Sequence, residues 1–455
     1  MTVLDDRKLV GDLLRKRIRE LGIRQKDLID DKLTTATISN IITGKKNVSK
    51  NTISYLCKKL NWEWEKIPQY VEDQEQKEVD QSKRIRLQLK SIEADIGSKY
   101  SLEQLKKIPS TDEPYILATM SYLQGNFYFK KENWEKAKEH YFQSIRIYDS
   151  HPDISNSNLK AACFNGLSRV YFKLNQFEEA LRYTRKGQCY FVECEERKYI
   201  QFYLQISEAI YLDNMGLPLE ALKVLEIMWA YQNDIATSSL LNMYSLQSIL
   251  YNKLKMYEDS IKTIDVAIEI ARQSKSYDHM YEMWTTLGVS YKNLGDLDFA
   301  TICFNTASSL QDKVRSKLLL LQSYHYTEKG KLLLDEGDVI KASLILIDAV
   351  KLSKKAHDGP RQSEAQTALG ECYLQLDRFS EAVEQFEEAR KVAQKLSFLE
   401  QECNIILKLA QCYENRDIIK YNQYYSLFYQ LSIKLLNGGD RNMLQKKAQP
   451  DPPGD

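Results

Sequence analysis

The sequence of 455 residues has no uncharged apolar run long enough to cross a bilayer, which excludes a transmembrane helix on hydropathy grounds. Its start, MTVLDDRKLVGDLLRKRIRE, is charged within five residues and has no apolar region of the signal-peptide kind. No membrane partner is expected, and the expected location is the cytoplasm. The eight cysteines (57, 163, 189, 194, 303, 372, 403 and 412) form no CxxC pair and share no ligand spacing with the five histidines. They read as small apolar residues and free thiols of a reducing compartment. There is no GxGxxG and no HExxH, and Gly44-Lys45 lacks the earlier glycine of a phosphate loop. His140, His151, His279, His325 and His357 stand apart and read as residues of helix surfaces or ends. No catalytic constellation results, so an enzyme is not expected, nor a cofactor or a metal.

Net charge is nearly absent at +1, but it is unevenly spread. Residues 1–70 hold 15 Lys/Arg against 9 Asp/Glu, a balance of +6 that leaves −5 downstream. A basic head on a mildly acidic body places any nucleic-acid contact at the front.

The body is periodic. Residues 281–310, YEMWTTLGVSYKNLGDLDFATICFNTASSL, match the tetratricopeptide (TPR) pattern through Trp284, Leu287, Gly288, Tyr291, Gly295, Leu297, Ala300, Phe304 and Ala307. Residues 369–389 repeat it. With Gly288 as anchor, equivalent positions fall at Gly125, Ser168, Glu208, Ser248, Gly330, Gly370 and Ala410, at steps of 40 to 43 residues. Three residues past each anchor stands Tyr or Leu, and nine past stands an aromatic or aliphatic residue. Cys372 and Cys412 both lie two past an anchor. The third unit (Glu208, Glu220) and the last (Asn422, Ser426) depart from the small-residue pattern, the last as expected of a cap. Residues 111–435 therefore predict about eight antiparallel helix pairs. Residues 83–109 read as a linker helix and a degenerate first repeat, so the linker region is 71–110. The polar stretch 71–82 marks its boundary, and 436–455 reads as a disordered tail.

The head, 1–70, reads as short helices. Leu13, Leu14, Ile18 and Leu21 make an apolar stripe on the first, and Gln25 to Ile29 begin the second. In LTTATISNIITGKKNVS, Thr34 is placed to cap a helix reaching about Ile42, with Ile38, Ile41 and Ile42 inward and Gly44 ending it. Ser49 caps the next helix, and Trp62 and Trp64 close the core. Gln25 and Thr37-Ile38-Ser39-Asn40-Ile41-Ile42-Thr43-Gly44-Lys45 resemble the Cro/repressor-type helix-turn-helix, with a turn (DDKLTT) one residue shorter than usual. The resemblance implies a recognition helix in the major groove of double-stranded DNA. Thr35, Ala36, Thr37 and Asn40 would then face bases, with Gln25, Thr43, Lys45 and Lys46 at phosphates.

The fold class expected is all-α: an N-terminal helix-turn-helix domain followed by a right-handed superhelical TPR solenoid. The first helix of each pair should line a concave face, at positions −6, −3, +1 and +4 from the anchor. These are Tyr122, Asn126, Asn165, Arg169, Gln205, Asn242, Ser245, Asn252, Glu282, Tyr324, Lys331, Glu364 and Glu371. Asn and Gln each carry a donor and an acceptor, so a row of them suits the backbone of an extended peptide.

Taken whole, the chain resembles the Gram-positive quorum-sensing regulators of the PlcR/NprR/Rgg kind, related to the Rap phosphatases. That resemblance implies a cytoplasmic DNA-binding regulator controlled by a short signalling peptide. It would be gripped at Asn165, Gln205, Asn242 and Ser245, with Tyr324; Arg169 and Asn252 lie on the same face. A homodimer follows from the helix-turn-helix, which binds paired half-sites. Two alternatives stand beside it: an interaction protein whose solenoid binds a response regulator, and a phage or mobile-element repressor of the same architecture.

Overall fold

The computed structural model describes residues 7–45, 47–96, 98–151, 157–194, 196–314 and 319–446. Among them every regular element is helical, apart from an isolated bridge between Asp30 and Leu33. Two compact units divide between Ser110 and Thr111.

In the first unit, α1 (Arg7–Glu20) buries Val10, Leu14 and Ile18. Gly11 lets it lie against the end of α2 (Thr35–Thr43), where an added Cβ would sit 2.6 Å from the Ile42 carbonyl oxygen. Thr34 caps α2 by accepting from the Thr37 N–H, and Gly44, at φ 65°, closes it in the left-handed region. Ser49 caps α3 (Lys50–Lys59) in the same way. The segment expected to begin a second α-helix is a single 3₁₀ turn, Gln25–Leu28. The short DDKLTT connection is held by Asp30. Its Oδ1 accepts from the Lys32 and Leu33 N–H groups, and its Oδ2 accepts from the Tyr55 hydroxyl and pairs with Lys59 Nζ at 2.5 Å.

The polar stretch 71–82, expected to mark a boundary, lies inside one helix, α4 (Ile67–Ala94). Glu, Gln, Lys and Asp keep it in water without breaking it, and Val71, Ile85, Leu89 and Ile92 supply a buried stripe. Helix α5 (Lys99–Lys106), capped by Ser98, ends the unit's regular structure.

The second unit is eight successive helix pairs: α6 (Pro114–Lys130) and α7 (Trp134–Asp149), α8 (Leu159–Lys173) and α9 (Phe177–Cys189), α10 (Ile200–Asn214) and α11 (Pro218–Met228), α12 (Thr237–Lys253) and α13 (Tyr257–Gln273). They continue with α14 (Tyr277–Leu294) and α15 (Leu297–Ser309), α16 (Leu319–Asp335) and α17 (Val339–Lys355), α18 (Gly359–Gln375) and α19 (Phe379–Lys395), α20 (Leu399–Tyr413) and α21 (Ile418–Lys446). The last helix runs past Leu436, where the sequence suggested that order ends; residues 447–455 lie outside the described residues.

Within each of the first seven pairs the turn uses one left-handed residue: Glu132, Asn175, Gly216, Lys255, Gly295, Gly337 and Asp377. Six stand seven past their anchors, but Gly216 stands eight past Glu208. The third anchor is therefore Ala209, not Glu208. With that register the residue twelve past the anchor is Ala137, Ala180, Ala221, Ser260, Ala300, Ala342 and Ala382, every one fully buried. Sixteen past stand Tyr141, Thr184, Leu225, Ile264, Phe304, Leu346 and Phe386, likewise fully buried. The anchors are small because these side chains press on them. A Cβ on Gly288 would lie 2.8 Å from the Phe304 ring, and one on Gly370 2.6 Å from Phe386. The eighth pair lacks this column; Asn422 and Ser426 are exposed, and α21 instead buries Leu431 against Cys403 and Ile406.

Glu208 is turned toward α9 of the preceding pair, where it accepts from Arg185 and Gln188. The two neighbouring side chains thus differ in role, and urea unfolding separates them. Ala209→Leu should lower stability by about 1–3 kcal/mol through overpacking, and Glu208→Ala by less than about 1 kcal/mol, because the Arg185 it leaves behind is exposed to water. The reverse ranking would restore Glu208 as anchor.

The array also touches itself at a distance. The α8–α9 turn meets the α17–α18 turn, where Asn175 Nδ2 donates to the His357 carbonyl at 3.2 Å. Phe177 stacks on Phe398 of the α19–α20 turn, with centroids 5.8 Å apart.

Candidate functional site

The first helices α8, α10 and α12 enclose a cavity of about 550 Å³, within the range of small-ligand sites. Its apolar wall includes Phe129, Phe172, Tyr203, Ile206 and Ile210, and its polar groups include Asn165, Arg169, Lys173, Ser239 and Asn242. The structure therefore brings Asn165, Arg169 and Asn242 together at one site. Asn165, Arg169 and Lys173 are four residues apart on α8, which puts them on one helix face. Asn165 is only 6% exposed, and its Oδ1 has no hydrogen-bond partner. An acceptor buried without a donor is costly unless a ligand supplies one. Asn242 Oδ1 lies 2.9 Å from His279 Nε2.

The remaining sequence-selected residues lie elsewhere. The one-residue register shift moves Gln205 off the cavity wall and puts Ile206 there; the Gln205 Oε1 is buried and unpartnered. Asn252 is committed to α14, donating to the Thr286 carbonyl and accepting from Ser290. Asn126 accepts from the Tyr141 hydroxyl. Ser245 is buried beside Glu282, whose carboxyl burial raises while Arg361 and Ser245 oppose that rise. Arg361 lies over the Tyr324 ring, and burial pushes the Tyr324 phenol up. Lys331 bonds both Glu328 and Glu364, Lys292 reaches Glu328, and Lys408 pairs with Glu371. The half of this face from α14 to α20 thus satisfies its own charges.

Tyr203, Ile206 and Ile210 line the cavity because the Ala209 register points them inward, which the Glu208 register hides, and Lys173 joins them one turn beyond Arg169. His325, expected at a helix surface or end, is fully buried in α16. Its Nδ1 lies 2.9 Å from Thr285 Oγ1 and its Nε2 3.0 Å from Ser308 Oγ, and burial holds its imidazole down at about 3. Its hydroxyl partners come from α14 and α15, so nothing local in the sequence announces them. All eight cysteines are free.

In the first unit, Gln25, Thr35, Ala36 and Lys45 are exposed, as is Thr43, and Thr37 and Asn40 are half-buried. The Thr37 hydroxyl is engaged with Thr34, and that of Thr43 donates to the Ser39 carbonyl. Ser39 is exposed on the same face and joins the candidate surface. Lys46 lies outside the described residues.

Models of the tetratricopeptide repeat match residues 161–186, 281–313 and 319–395. The apo form of the quorum sensor NprR from B. thuringiensis superposes with a TM-score of 0.57, at 13% identity, over 77% of this chain and 99% of that one. The second unit is a tetratricopeptide-repeat solenoid. The apo form of RapI gives a TM-score of 0.50 at 12% identity, over 79% of this chain and 99% of that one. Among curated proteins, response regulator aspartate phosphatase E of Bacillus subtilis (strain 168) is 25% identical over 169 residues, 37% of this chain and 43% of that protein. Tetratricopeptide repeat protein 29 of Homo sapiens is 23% identical over 254 residues, 53% of this chain and 52% of that protein. The chain spans about half or less of the length of these curated relatives. Among the described residues no solenoid helix, and no other helix, is long and apolar enough to cross a membrane, and no His/Cys/Asp/Glu group is arranged to hold a metal.

Proposed function

We propose that the chain is a cytoplasmic transcriptional regulator of the quorum-sensing kind, whose solenoid binds a short peptide and whose N-terminal unit binds double-stranded DNA as a homodimer. The carrying observation is the cavity with the buried, unpartnered Asn165 Oδ1. A peptide backbone supplies the missing N–H, and the apolar wall takes side chains. The likeness to NprR, also solved in complex with its cognate peptide NprX at a TM-score of 0.51, supports the same reading. For DNA, the cap at Thr34, the left-handed stop at Gly44 and the row of exposed Thr35, Ala36 and Ser39 with half-buried Asn40 suit a helix-turn-helix recognition helix. Gln25, Thr37, Thr43, Lys45 and Lys46 complete that interface, and the +6 balance of residues 1–70 suits phosphate contacts.

Fluorescence anisotropy on the DNA upstream of the chain's own gene, with and without synthetic peptides from adjacent small reading frames, tests both halves. A peptide should change DNA affinity, and Asn165→Ala should abolish the response while leaving peptide-free DNA binding intact. Asn40→Ala should weaken specific binding by about 1–3 kcal/mol, roughly 5- to 150-fold, and non-specific binding far less. DNA binding unchanged by every peptide would sink the receptor half.

A second reading is favoured by the match to the response regulator aspartate phosphatase: the solenoid holds a response regulator protein. Titrating purified receiver domains against the full chain decides it. Binding that survives Asn165→Ala and ignores peptide would favour a protein partner.

A further inference from the structure

Arg169 and Lys173 are the odd cations of the inner face. Lys292, Lys331, Lys408 and Arg361 each lie within 4 Å of a carboxylate oxygen, of Glu328, Glu328 and Glu364, Glu371, and Asp358 respectively. Among the described residues Arg169 and Lys173 have no ion pair and no hydrogen bond. They stand one turn apart on α8, a spacing at which like charges destabilise the helix. Arg169 projects over the Phe129 ring, 4.3 Å from its centroid. Lys173 is half-buried, and burial pulls its ammonium down, with Asp358 opposing and Arg169 adding to the fall. Folding gains nothing from this pairing. An anion between them would remove the repulsion and the desolvation penalty together, in surroundings whose apolar walls strengthen the attraction.

On the same helix face, one turn earlier, the Asn165 Oδ1 waits for a donor. The three groups therefore describe one ligand: an anionic oxygen pair beside an N–H, followed by apolar bulk against Phe129, Phe172 and Ile206. Resting on the peptide reading above, we infer that this cavity selects peptides by a carboxylate. That carboxylate, a chain terminus or an Asp or Glu side chain, is held between Arg169 and Lys173 while the neighbouring backbone N–H donates to Asn165. A basic peptide would be repelled from this position.

The test uses the full chain and a degenerate apolar hexapeptide pool made in four forms. The C-terminus is either free acid or amide, and one position carries either Asp or Asn. Retained peptides are counted by mass spectrometry. Forms bearing a carboxylate should be enriched about tenfold or more over the amide–Asn form, as a charge-assisted bond predicts. Enrichment through the terminus alone, or through Asp alone, identifies the source. Arg169→Gln with Lys173→Gln should erase the enrichment without lowering the melting midpoint, and Arg169→Lys should keep most of it. Equal retention of all four forms, or enrichment unchanged in the double variant, overturns the inference and leaves the peptide reading standing. If no hexapeptide is retained, the peptide reading fails. The carboxylate site is then judged with N-acetylphenylalanine against N-acetylphenylalaninamide. A rise in melting midpoint with the acid alone, lost in the double variant, supports the site, and its absence overturns it.

Discussion

Replacing Tyr141 by Ala should lower the stability of the solenoid by about 3–5 kcal/mol, the range for removing a fully buried aromatic ring. The ring is the wedge between two repeats. A Cβ on Gly125 of α6 would come within 2.6 Å of it, and one on Gly166 of α8 within 2.4 Å. Its hydroxyl donates to Asn126 Oδ1 at 2.8 Å. Because Gly166 adjoins Asn165, losing the ring should also loosen the cavity wall and weaken any ligand held there. Urea unfolding followed by circular dichroism measures the first effect. Tyr141→Phe separates the hydroxyl from the ring and should lose only about 1 kcal/mol. A Tyr141→Ala loss below that of the Phe variant would show that the ring is not the wedge.

Glu328→Ala should have an effect of similar size, about 3–5 kcal/mol, because it strands the buried Lys292 and takes one of its two carboxylates from Lys331. Glu328 is 6% exposed on α16, with Lys331 Nζ at 2.7 Å and Lys292 Nζ of α14 at 3.5 Å, and Lys331 also bonds Glu364 of α18. Three successive repeats are tied through one carboxylate. Burial alone would raise its pKa; Lys331 and Lys292 overcome that and hold the group down at about 2. Since the folded value lies below the unfolded 4.5, the stabilisation is fully present above about pH 4.5. It is lost as pH falls toward 2. His325 adds to the acid side from higher pH: its folded value near 3 lies below 6.5, so stability declines as pH drops below about 6.5. Thermal melts from pH 8 to 3 should show the upper decline in the wild type and not in His325→Gln. The Glu328→Ala variant should lose its sensitivity between pH 4.5 and 3. Parallel curves for wild type and Glu328→Ala would show that the carboxylate is not the tie.

How much of this was written in the sequence depends on whether the signal is local. The anchors, the turn positions, the caps at Thr34 and Ser49 and the stop at Gly44 are all short-range features, and they are legible. The third register was not, because Glu208 keeps the forty-residue step and Tyr211 imitates the aromatic three residues on. The Ala209–Ala221 spacing and the turn residue Gly216 were the better guides. Polarity misled at 71–82, where residues that love water also love helices. The cavity is half legible: Asn165, Arg169 and Asn242 stand at repeat positions −3, +1 and −6 from their anchors, whereas Lys173 stands at +5, outside the positions expected to face inward. What the sequence could not show was neutralisation between repeats. The fates of Lys331, Asn252 and His325 are decided by side chains 33 to 40 residues away.

The contacts of Asn175 with His357 and of Phe177 with Phe398 change what kind of object the array is. A row of repeats that meets only its neighbours melts like a zipper, one tooth at a time from a free end. Here the second pair is clasped to turns 182 residues and more further on, so the row has become a hoop with an overhanging link at each end, the first pair and the eighth. A hoop cannot open a single tooth in its middle without straining the clasp. Amide exchange in the second, sixth and seventh pairs should therefore rise and fall together, while the first and eighth pairs exchange on their own.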